Sequence, residues 1–294
     1  MGWVRLGVDR RHVRSGGDSV KLGEYAELGP NTAHATVELL LPTRSDLVGA
    51  LRVIDEFDGQ SMREICRVIV SVSDPKAWSN FDQALRGREG VVLLPAVGDL
   101  TLYGNFRRLV MSSSADWISI CADDDSIPQT FASLTAEPMP ANTCLIVPPI
   151  ELRTYDRSTG YFGELLKRFD PMSAPKRQID LARETWPTWV FGLWRGDWLR
   201  AAYPPHDFDW LDCALLHKAI MSNSVRWVCD VEPLVCGFDP HRDPWAVNST
   251  GLSTREWKNY CQDFLRERPL ITRLMWHLRV ERIFDSIAKR SKSM

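Results

Sequence analysis

The feature that most constrains the fold is an alternation of two apolar patterns between residues 36 and 125. Short β-type runs alternate with segments whose apolar residues recur at helical spacing. The runs are TVELLLP, CRVIVSVS, VVLLP and WISICA, and the helical segments between them begin SDLVGAL, DPKAWSN and NFRRLVM. Strands that alternate with helices in this way predict an α/β fold with a doubly wound, mostly parallel sheet.

The remainder of the chain is less regular and suggests further divisions. Residues 1–35 are polar and are interpreted as an N-terminal extension. The alternating half would span 36–130, a second half 131–250, and C-terminal helices 251–294. Within the second half, the pattern predicts a β-hairpin turning at Ser158, Thr159 and Gly160.

Bulk composition narrows the classes of function. The 294 residues carry a formal net charge of −2, so no global basic field is available for nucleic acid. No apolar stretch is long enough for a membrane span or a signal peptide. The seven cysteines are odd in number and lack CxxC spacing, which indicates reduced, buried thiols. These features predict a cytoplasmic protein without a transmembrane segment and without a nucleic-acid partner.

The strongest chemical signal is the run WISICADDDSIP, in which a buried strand leads directly into Asp123, Asp124 and Asp125. Three adjacent carboxylates repel one another at neutral pH. A hard divalent cation, Mn²⁺ or Mg²⁺, accepts such oxygens and cancels the repulsion. The alternative is a solvated acidic turn that caps the next helix. The position at the end of a strand, where ligands bind in open α/β sheets, favours the metal.

Several segments, taken in order, resemble the family-2 glycosyltransferases of the GT-A fold over roughly residues 36–245. They are LLLPTRSDLVGALRVI, VIVSVSDP, YGNFRRLVMSSSADWISICADDDSIP with its DxD-type motif, FGLWRGDWLRAA, FDWLDCALLHKAI, and VEPLV followed by His241. In VIVSVSDP the chain departs from the family pattern, since Ser73 and Pro75 replace an Asp and a Gly. The resemblance implies a GT-A fold with a Rossmann-like nucleotide-sugar-binding half (36–130) and an acceptor-binding, catalytic half (131–250).

The resemblance also implies roles for individual residues. The nucleotide-sugar would contact Pro42, Thr43, Arg44, Asp74, Asn105, Arg108, Asp123 and Asp124. The metal would be bound by Asp125, Asp123 and His241. Trp189 and Trp194 would border the acceptor, because aromatic faces stack on sugars. They belong to a tryptophan cluster, some of whose members are expected in the core: Trp186, Trp189, Trp194 and Trp198.

The catalytic base has two candidates. Inverting transfer needs a carboxylate that takes the proton of the acceptor hydroxyl. Lys218 stands at the place of a basic residue that is usual in the family, and counting back from it along the family's pattern selects Asp212. The pair of an acidic residue followed by Trp instead selects Asp209. Either could instead be a first-turn carboxylate that stabilises the helix dipole.

The predicted function is therefore transfer of a sugar from a nucleotide-diphospho-sugar to a hydroxyl of a glycan, lipid-linked or protein acceptor, metal-dependent and inverting. A degenerate relative that binds a glycan or partner without turnover is one alternative. A nucleotidyltransferase is another, but the segment PTRSDL lacks the Gly-rich loop that such enzymes use.

The C-terminal segment combines an apolar stripe with basic residues. Ile271, Leu274, Met275 and Leu278 recur at helical spacing. We expect this stripe to pack on the chain's own domain or on a second copy, which would give a homodimer. The alternative is peripheral association with an anionic membrane surface.

Overall fold

The computed structural model describes residues 36–59, 66–126, 142–154, 157–161, 175–183, 190–208, 211–222, 224–228, 231, 233–237, 254–282 and 285. All of these residues belong to one compact unit, His34–Met294. The predicted N-terminal extension therefore lies outside the described residues.

The strands follow the alternating pattern. They are β1 Val37–Thr43, β2 Cys66–Val72, β3 Val91–Leu93, β4 Trp117–Ile120, β5 Leu145–Val147, β6 Ile150–Thr154, β7 Arg157–Tyr161, β8 Leu193–Arg195, β9 Val225–Trp227 and β10 Leu234–Gly237. Within the described residues they form a seven-stranded sheet, ordered β3-β2-β1-β4-β8-β5-β9, and a three-stranded sheet, ordered β10-β6-β7.

Helices occupy the segments with helical spacing. They are α1 Leu47–Gly59, α2 Trp78–Leu85, α3 Leu102–Ser112, α4 Pro175–Arg183, α5 Gly196–Ala202, α6 Leu211–Met221, α7 Thr254–Leu265 and α8 Leu270–Trp276, which continues into a π-helical segment, His277–Glu281. Pro269 lies directly before α8 and separates the two C-terminal helices.

The seven-stranded sheet confirms the predicted fold class. Every pairing in it is parallel except those of β8, which runs antiparallel to both β4 and β5. All seven residues of β1 are buried, which explains its continuous apolar run, since central parallel strands are covered on both faces. The result is a mixed α/β fold with a central, mostly parallel sheet.

The strand order reverses at β1, and this reversal positions the candidate site. From β1 the chain moves outward to β2 and β3, then returns to β4 on the opposite side of β1. The helices of these connections pack against the strands, α3 against both β1 and β2. In sheets of this type, ligands bind in the crevice at the carboxyl ends of the strands that flank the reversal, which here are β1 and β4.

The two predicted halves share this sheet, because β5, β8 and β9 of the second half extend it beyond β4. The boundary near residue 130 lies outside the described residues and stays a prediction.

The predicted β-hairpin is present, because β6 and β7 pair antiparallel, but its turn lies elsewhere than predicted. Ser158, Thr159 and Gly160 lie within β7 and do not form the hairpin turn. The ladder between β6 and β7 runs as far as Thr154↔Arg157, so the connection falls at residues 155–156. The sequence suggests a turn at these positions because Ser and Gly are frequent turn residues, but here they continue the ladder.

The burial of the cysteines and the length of the helices can also be compared with the sequence analysis. Within the described residues, Cys121, Cys144, Cys213, Cys236 and Cys261 are buried free thiols, in agreement with the sequence analysis. Among the same residues, no helix has the length and apolar character needed to cross a membrane.

Candidate active site

The carboxyl ends of β1 and β4 bring Thr43 and Asp123 together. The parallel register pairs Leu40 with Ile120, and continuing it by three residues places Thr43 opposite Asp123. The Thr43 hydroxyl donates a 2.5 Å hydrogen bond to Oδ2 of Asp123. Two residues predicted to contact the nucleotide-sugar, 80 positions apart in the chain, therefore touch across the crevice.

The helix that follows β1 holds residues 123–125, here called the acidic turn, by hydrogen bonds to the backbone of that turn. Arg52 of α1 donates to the carbonyl oxygens of Asp123 (3.2 Å) and Asp125 (3.0 Å). Its guanidinium also pairs with Glu56 at 3.3 Å, and Glu56 accepts a 2.7 Å hydrogen bond from the Ser126 hydroxyl. Sequence analysis missed Arg52 and Glu56, because an Arg–Glu pair at i,i+4 is also the usual pattern of a solvated helix face.

Gly49 permits this close approach of α1. A Cβ atom at position 49 would lie 2.4 Å from the carbonyl oxygen of Asp123, which is backbone and cannot move aside easily. A side chain here would therefore push α1 away from the acidic turn. The glycine keeps Arg52 within reach of the turn.

The three aspartates have different surroundings. Asp125 is 2% exposed, and its Oδ2 accepts a 2.8 Å hydrogen bond from the Ala122 backbone N–H. The carboxylate of Asp125 therefore folds back onto the turn and does not project beyond it. Asp123 and Asp124 keep part of their surface exposed.

The side chains available as ligands determine what kind of metal site could form here. No group of three or more His, Cys, Asp or Glu side chains within the described residues is placed to hold a metal ion. Carboxylate oxygens nevertheless suit a hard divalent cation, and Mg²⁺ is commonly bound through one or two carboxylates together with substrate phosphates. The acidic turn fits that mode, in which most ligands arrive with the substrate. His241, the third predicted ligand, lies outside the described residues.

Three further residues predicted to contact the nucleotide lie at the ends of β1 and β2: Pro42, Arg44 and Asp74. The Asp74 backbone N–H donates to the Arg44 carbonyl at 3.2 Å, which places these two residues side by side. Oδ1 of Asp74 accepts a 2.9 Å hydrogen bond from the Lys76 N–H. Pro42 is buried within β1, whereas Arg44 is exposed just beyond it.

Asn105 and Arg108 connect α3 to the sheet through hydrogen bonds. The Asn105 amide is buried and donates to the carbonyl oxygens of Ser71 (3.1 Å) and Thr43 (3.4 Å). Arg108 donates to the Ser71 hydroxyl at 3.1 Å and to the Pro95 carbonyl. Both predicted nucleotide contacts thus have structural hydrogen bonds that tie α3 to the ends of β1 and β2.

The start of α3 connects this crevice to the candidate base. Tyr103 donates a 3.2 Å hydrogen bond from its hydroxyl to Oδ1 of Asp212, in the first turn of α6. Two residues earlier, the Thr101 hydroxyl caps α3 and donates to Oδ2 of Asp207 at 2.8 Å. The segment leading into α6 therefore lies against the N-terminus of α3, near Asn105 and the end of β1.

Burial changes the acidity of Asp212. It raises the pKa of this carboxyl to about 6, while hydrogen bonds from the Cys213 N–H and the Tyr103 hydroxyl act in the opposite direction. Burial also raises the pKa of Tyr103, so its hydroxyl stays protonated and remains a donor. A carboxylate with a pKa near neutrality can accept a proton during a reaction. Asp209, the other candidate base, lies outside the described residues.

Tyr103 is a site residue that the sequence analysis did not identify. Its only sequence signal is an aromatic residue directly before Gly104 and Asn105. Its link to Asp212 joins residues 109 positions apart and depends on the packing of α3 near α6.

The tryptophan cluster divides between core and surface. Trp194 has no exposed surface, lies in β8 and donates from Nε1 to the Val190 carbonyl at 2.6 Å. The assignment of Trp194 to the acceptor site is therefore not met, because a core indole offers no face to a sugar. It stacks on the partly exposed Trp198, with ring centroids 5.6 Å apart. Trp189 lies outside the described residues.

Comparison with known proteins finds matches among solved structures but not among family models or curated proteins. No family model matches the sequence, and a search of curated proteins finds no significant match. Among solved structures, the chain is similar to residues 1–349 of TarS from S. aureus in complex with UDP-GlcNAc. This alignment has a TM-score of 0.55 and 9% identity, and covers 82% of this chain and 78% of TarS 1–349.

Two other structures are similar. TarS 1–349 in complex with UDP aligns with a TM-score of 0.53 and 12% identity, over 78% of this chain and 70% of TarS 1–349. The mannosyltransferase PcManGT from Pyrobaculum calidifontis, in complex with GDP-Man and Mn²⁺, aligns with a TM-score of 0.49 and 14% identity, over 73% and 60% of the two chains. At these identities the similarity shows a common fold, and this conclusion rests on the TarS structures. The predicted GT-A class of fold is thereby confirmed.

Proposed function

We propose that this protein is a glycosyltransferase that moves a sugar from a nucleotide-diphospho-sugar to an acceptor hydroxyl. The observation that carries the proposal is the meeting of Thr43, Asp123 and the acidic turn at the switch point of the sheet, with Asp212 held nearby through Tyr103. Crevices at such switch points bind nucleotides in open α/β folds. The shared fold with TarS, which has been seen with UDP-GlcNAc and with UDP, supports the same reading.

The acidic turn would receive the diphosphate. Asp123 and Asp125, helped by Asp124, would hold a divalent cation whose other ligands come from the phosphates, and the bound cation would stabilise charge on the departing diphosphate. Thr43 would fix the Asp123 carboxylate through its hydroxyl, and Arg52 would fix the backbone of the turn. Arg44 and Asp74, side by side at the ends of β1 and β2, would contact the nucleoside.

Asp212 would act as the base in an inverting transfer. With a pKa of about 6, the carboxylate is largely ionised at neutral pH and still basic enough to take a proton from the acceptor hydroxyl. The proton would move to Asp212 as the hydroxyl oxygen bonds to the anomeric carbon and the nucleoside diphosphate departs. Asp209 would take this role if Asp212 were only a helix-terminal carboxylate.

A binding protein without turnover is the second candidate. It is favoured by the departure at Ser73 and Pro75 from the family motif. It is disfavoured by the partly buried Asp212, because ionising a carboxyl in a desolvated position costs free energy that a binding role does not need.

Calorimetric titration with nucleoside diphosphates tests the proposal. UDP is the first probe because TarS binds it, and ADP, GDP and CDP follow. We expect one of them to bind in the presence of Mn²⁺ and to lose most of its affinity in EDTA. Slow hydrolysis of the matching nucleotide-sugar would then separate an enzyme from a binding protein. If none of the four bound at millimolar concentration, the proposed function would be wrong.

A Tyr103→Phe variant tests the assignment of the base through pH. Removing the hydroxyl removes a hydrogen bond that favours the ionised form of Asp212, so the pKa of Asp212 rises further. The acid limb of the kcat profile should move upward by about 0.5–1 pH unit, the equivalent of one hydrogen bond. Activity at pH 8 should change much less, since the carboxylate is ionised in both proteins. A uniform loss at every pH would instead indicate that Tyr103 only supports the packing of α3.

A further inference from the structure

The C-terminal helix exposes an apolar face. Leu270 and Ile271 are each 63% exposed, Leu278 is 52% exposed and Leu274 is 49% exposed. At 100° per residue these four side chains fall within about a quarter of the helix circumference. Ile271, Leu274 and Leu278 belong to the stripe that sequence analysis expected to pack on the chain's own domain or on a second copy. Their exposure contradicts packing on the chain's own domain, whereas packing on a second copy stays a prediction.

A different face of the same helix provides the packing. Thr272, Trp276 and Val280 are buried. The Trp276 ring meets His217 of α6 edge-on with centroids 4.9 Å apart, and Phe264 of α7 at 5.8 Å. The helix is thus ordered against its own domain without using Leu270, Ile271, Leu274 or Leu278. Exposed apolar side chains that the fold does not need suggest an external partner.

The sequence of the C-terminal segment is rich in positive charge, although Lys289, Arg290 and Lys292 lie outside the described residues and Arg279 is paired with Asp180 at 2.7 Å. Residues 270–294 contain six Lys and Arg against two acidic residues, a net charge of +4 in a chain whose total is −2. Both acidic residues, Glu281 and Asp285, are already paired with Lys258 of α7, at 3.1 Å and 2.8 Å. The exposed Arg273 and Arg282 lie on the same helical stretch as the apolar face. A partner for this surface must therefore accept apolar side chains and carry negative charge.

We propose that this surface docks on an anionic lipid membrane. An interfacial amphipathic helix places leucine and isoleucine side chains at the edge of the acyl region and arginines at the headgroups. A second copy of this chain fits less well, because it would bring the same positive charge to the interface. Four half-exposed side chains also form a patch on the order of a few hundred Å², whereas a stable dimer buries roughly 800 Å² per partner.

Vesicle sedimentation with the full chain tests this inference, independently of the proposed enzymatic function. We expect binding to vesicles of phosphatidylserine and phosphatidylcholine, weakened by salt, and little binding to phosphatidylcholine alone. The double variant Leu274→Glu, Leu278→Glu should bind at least about tenfold more weakly. Met111→Glu is the matched control, since Met111 is also 49% exposed and lies on α3, and it should bind like the wild type.

Three results would overturn the inference. One is no binding of the wild-type chain to anionic vesicles at low salt. Another is a wild-type dimer in light scattering that the double variant converts to a monomer, which would show that a second copy covers the face. The third is a large fall in Tm in the double variant but not in Met111→Glu, which would show that the chain itself covers it.

Discussion

Replacing Asp212 by Asn should reduce sugar transfer by about 10²–10⁴-fold, the usual contribution of a general base, with little change in donor affinity. The amide keeps an oxygen that can accept the hydrogen bonds of the Tyr103 hydroxyl and the Cys213 N–H. Only the ability to take a proton is lost. The loss should therefore appear in kcat, measured by release of the nucleoside diphosphate, while calorimetric titration of the nucleotide remains unchanged.

Asp197→Asn is a matched control. Asp197 lies in the first turn of α5, as Asp212 does in α6, and each carboxylate accepts a hydrogen bond from the next backbone N–H, at 2.7 Å and 2.8 Å. A purely helix-terminal role predicts similar, small effects in both variants. Catalysis predicts a large loss only at Asp212. If Asp212→Asn remained fully active and Asp209→Asn did not, the base would be Asp209.

Stability should respond to Asp212→Asn in the opposite direction from activity. Burial raises the pKa of this carboxyl from its ordinary value to about 6, so its ionised form is disfavoured in the folded state. This destabilisation is absent below the unfolded pKa near 4, grows between pH 4 and 6, and is complete above pH 6. At pH 7 the Asn variant should therefore have a Tm equal to or above that of the wild type. At pH 4 the difference should vanish.

The sequence was sufficient to predict strands β1 to β4 of the sheet because their signals are local. The buried runs of β1 and β4, the mostly apolar run of β2 and the helical spacing of α1 and α3 each depend on neighbouring residues only. Thr43 and Asp123 could be placed together from the parallel register, since strand ends meet at the same edge of a sheet.

Contacts between distant elements could not be predicted in this way. Arg52 reaches the acidic turn from α1, and Tyr103 reaches Asp212 from α3. Neither residue belongs to a pattern with a recognisable period. Nor does composition reveal which face of an amphipathic helix is buried when both faces carry large apolar residues, as in α8. Trp194 shows the same limit, because a tryptophan's preference for core or groove is set by packing.

The acidic turn is the place where charge and hydrogen bonding can be separated experimentally. Asp125→Asn removes the negative charge but keeps an oxygen able to accept from the Ala122 N–H, whereas Asp125→Ala removes both. If Asp125 binds the metal, both variants should bind a nucleoside diphosphate at least about 100-fold more weakly in Mn²⁺, since even partners that only orient metal ligands contribute 10–100-fold. In EDTA, both variants and the wild type should bind equally weakly.

The Tm of each variant identifies the cause of any loss. Asp125→Asn should melt close to the wild type, and Asp125→Ala should melt lower, because it leaves a buried N–H without its acceptor. If Asp125→Asn kept wild-type affinity in Mn²⁺ while Asp125→Ala lost it, the carboxylate of Asp125 would serve only to shape the turn. Metal binding would then fall to Asp123 and Asp124, whose side chains keep exposed surface at the crevice.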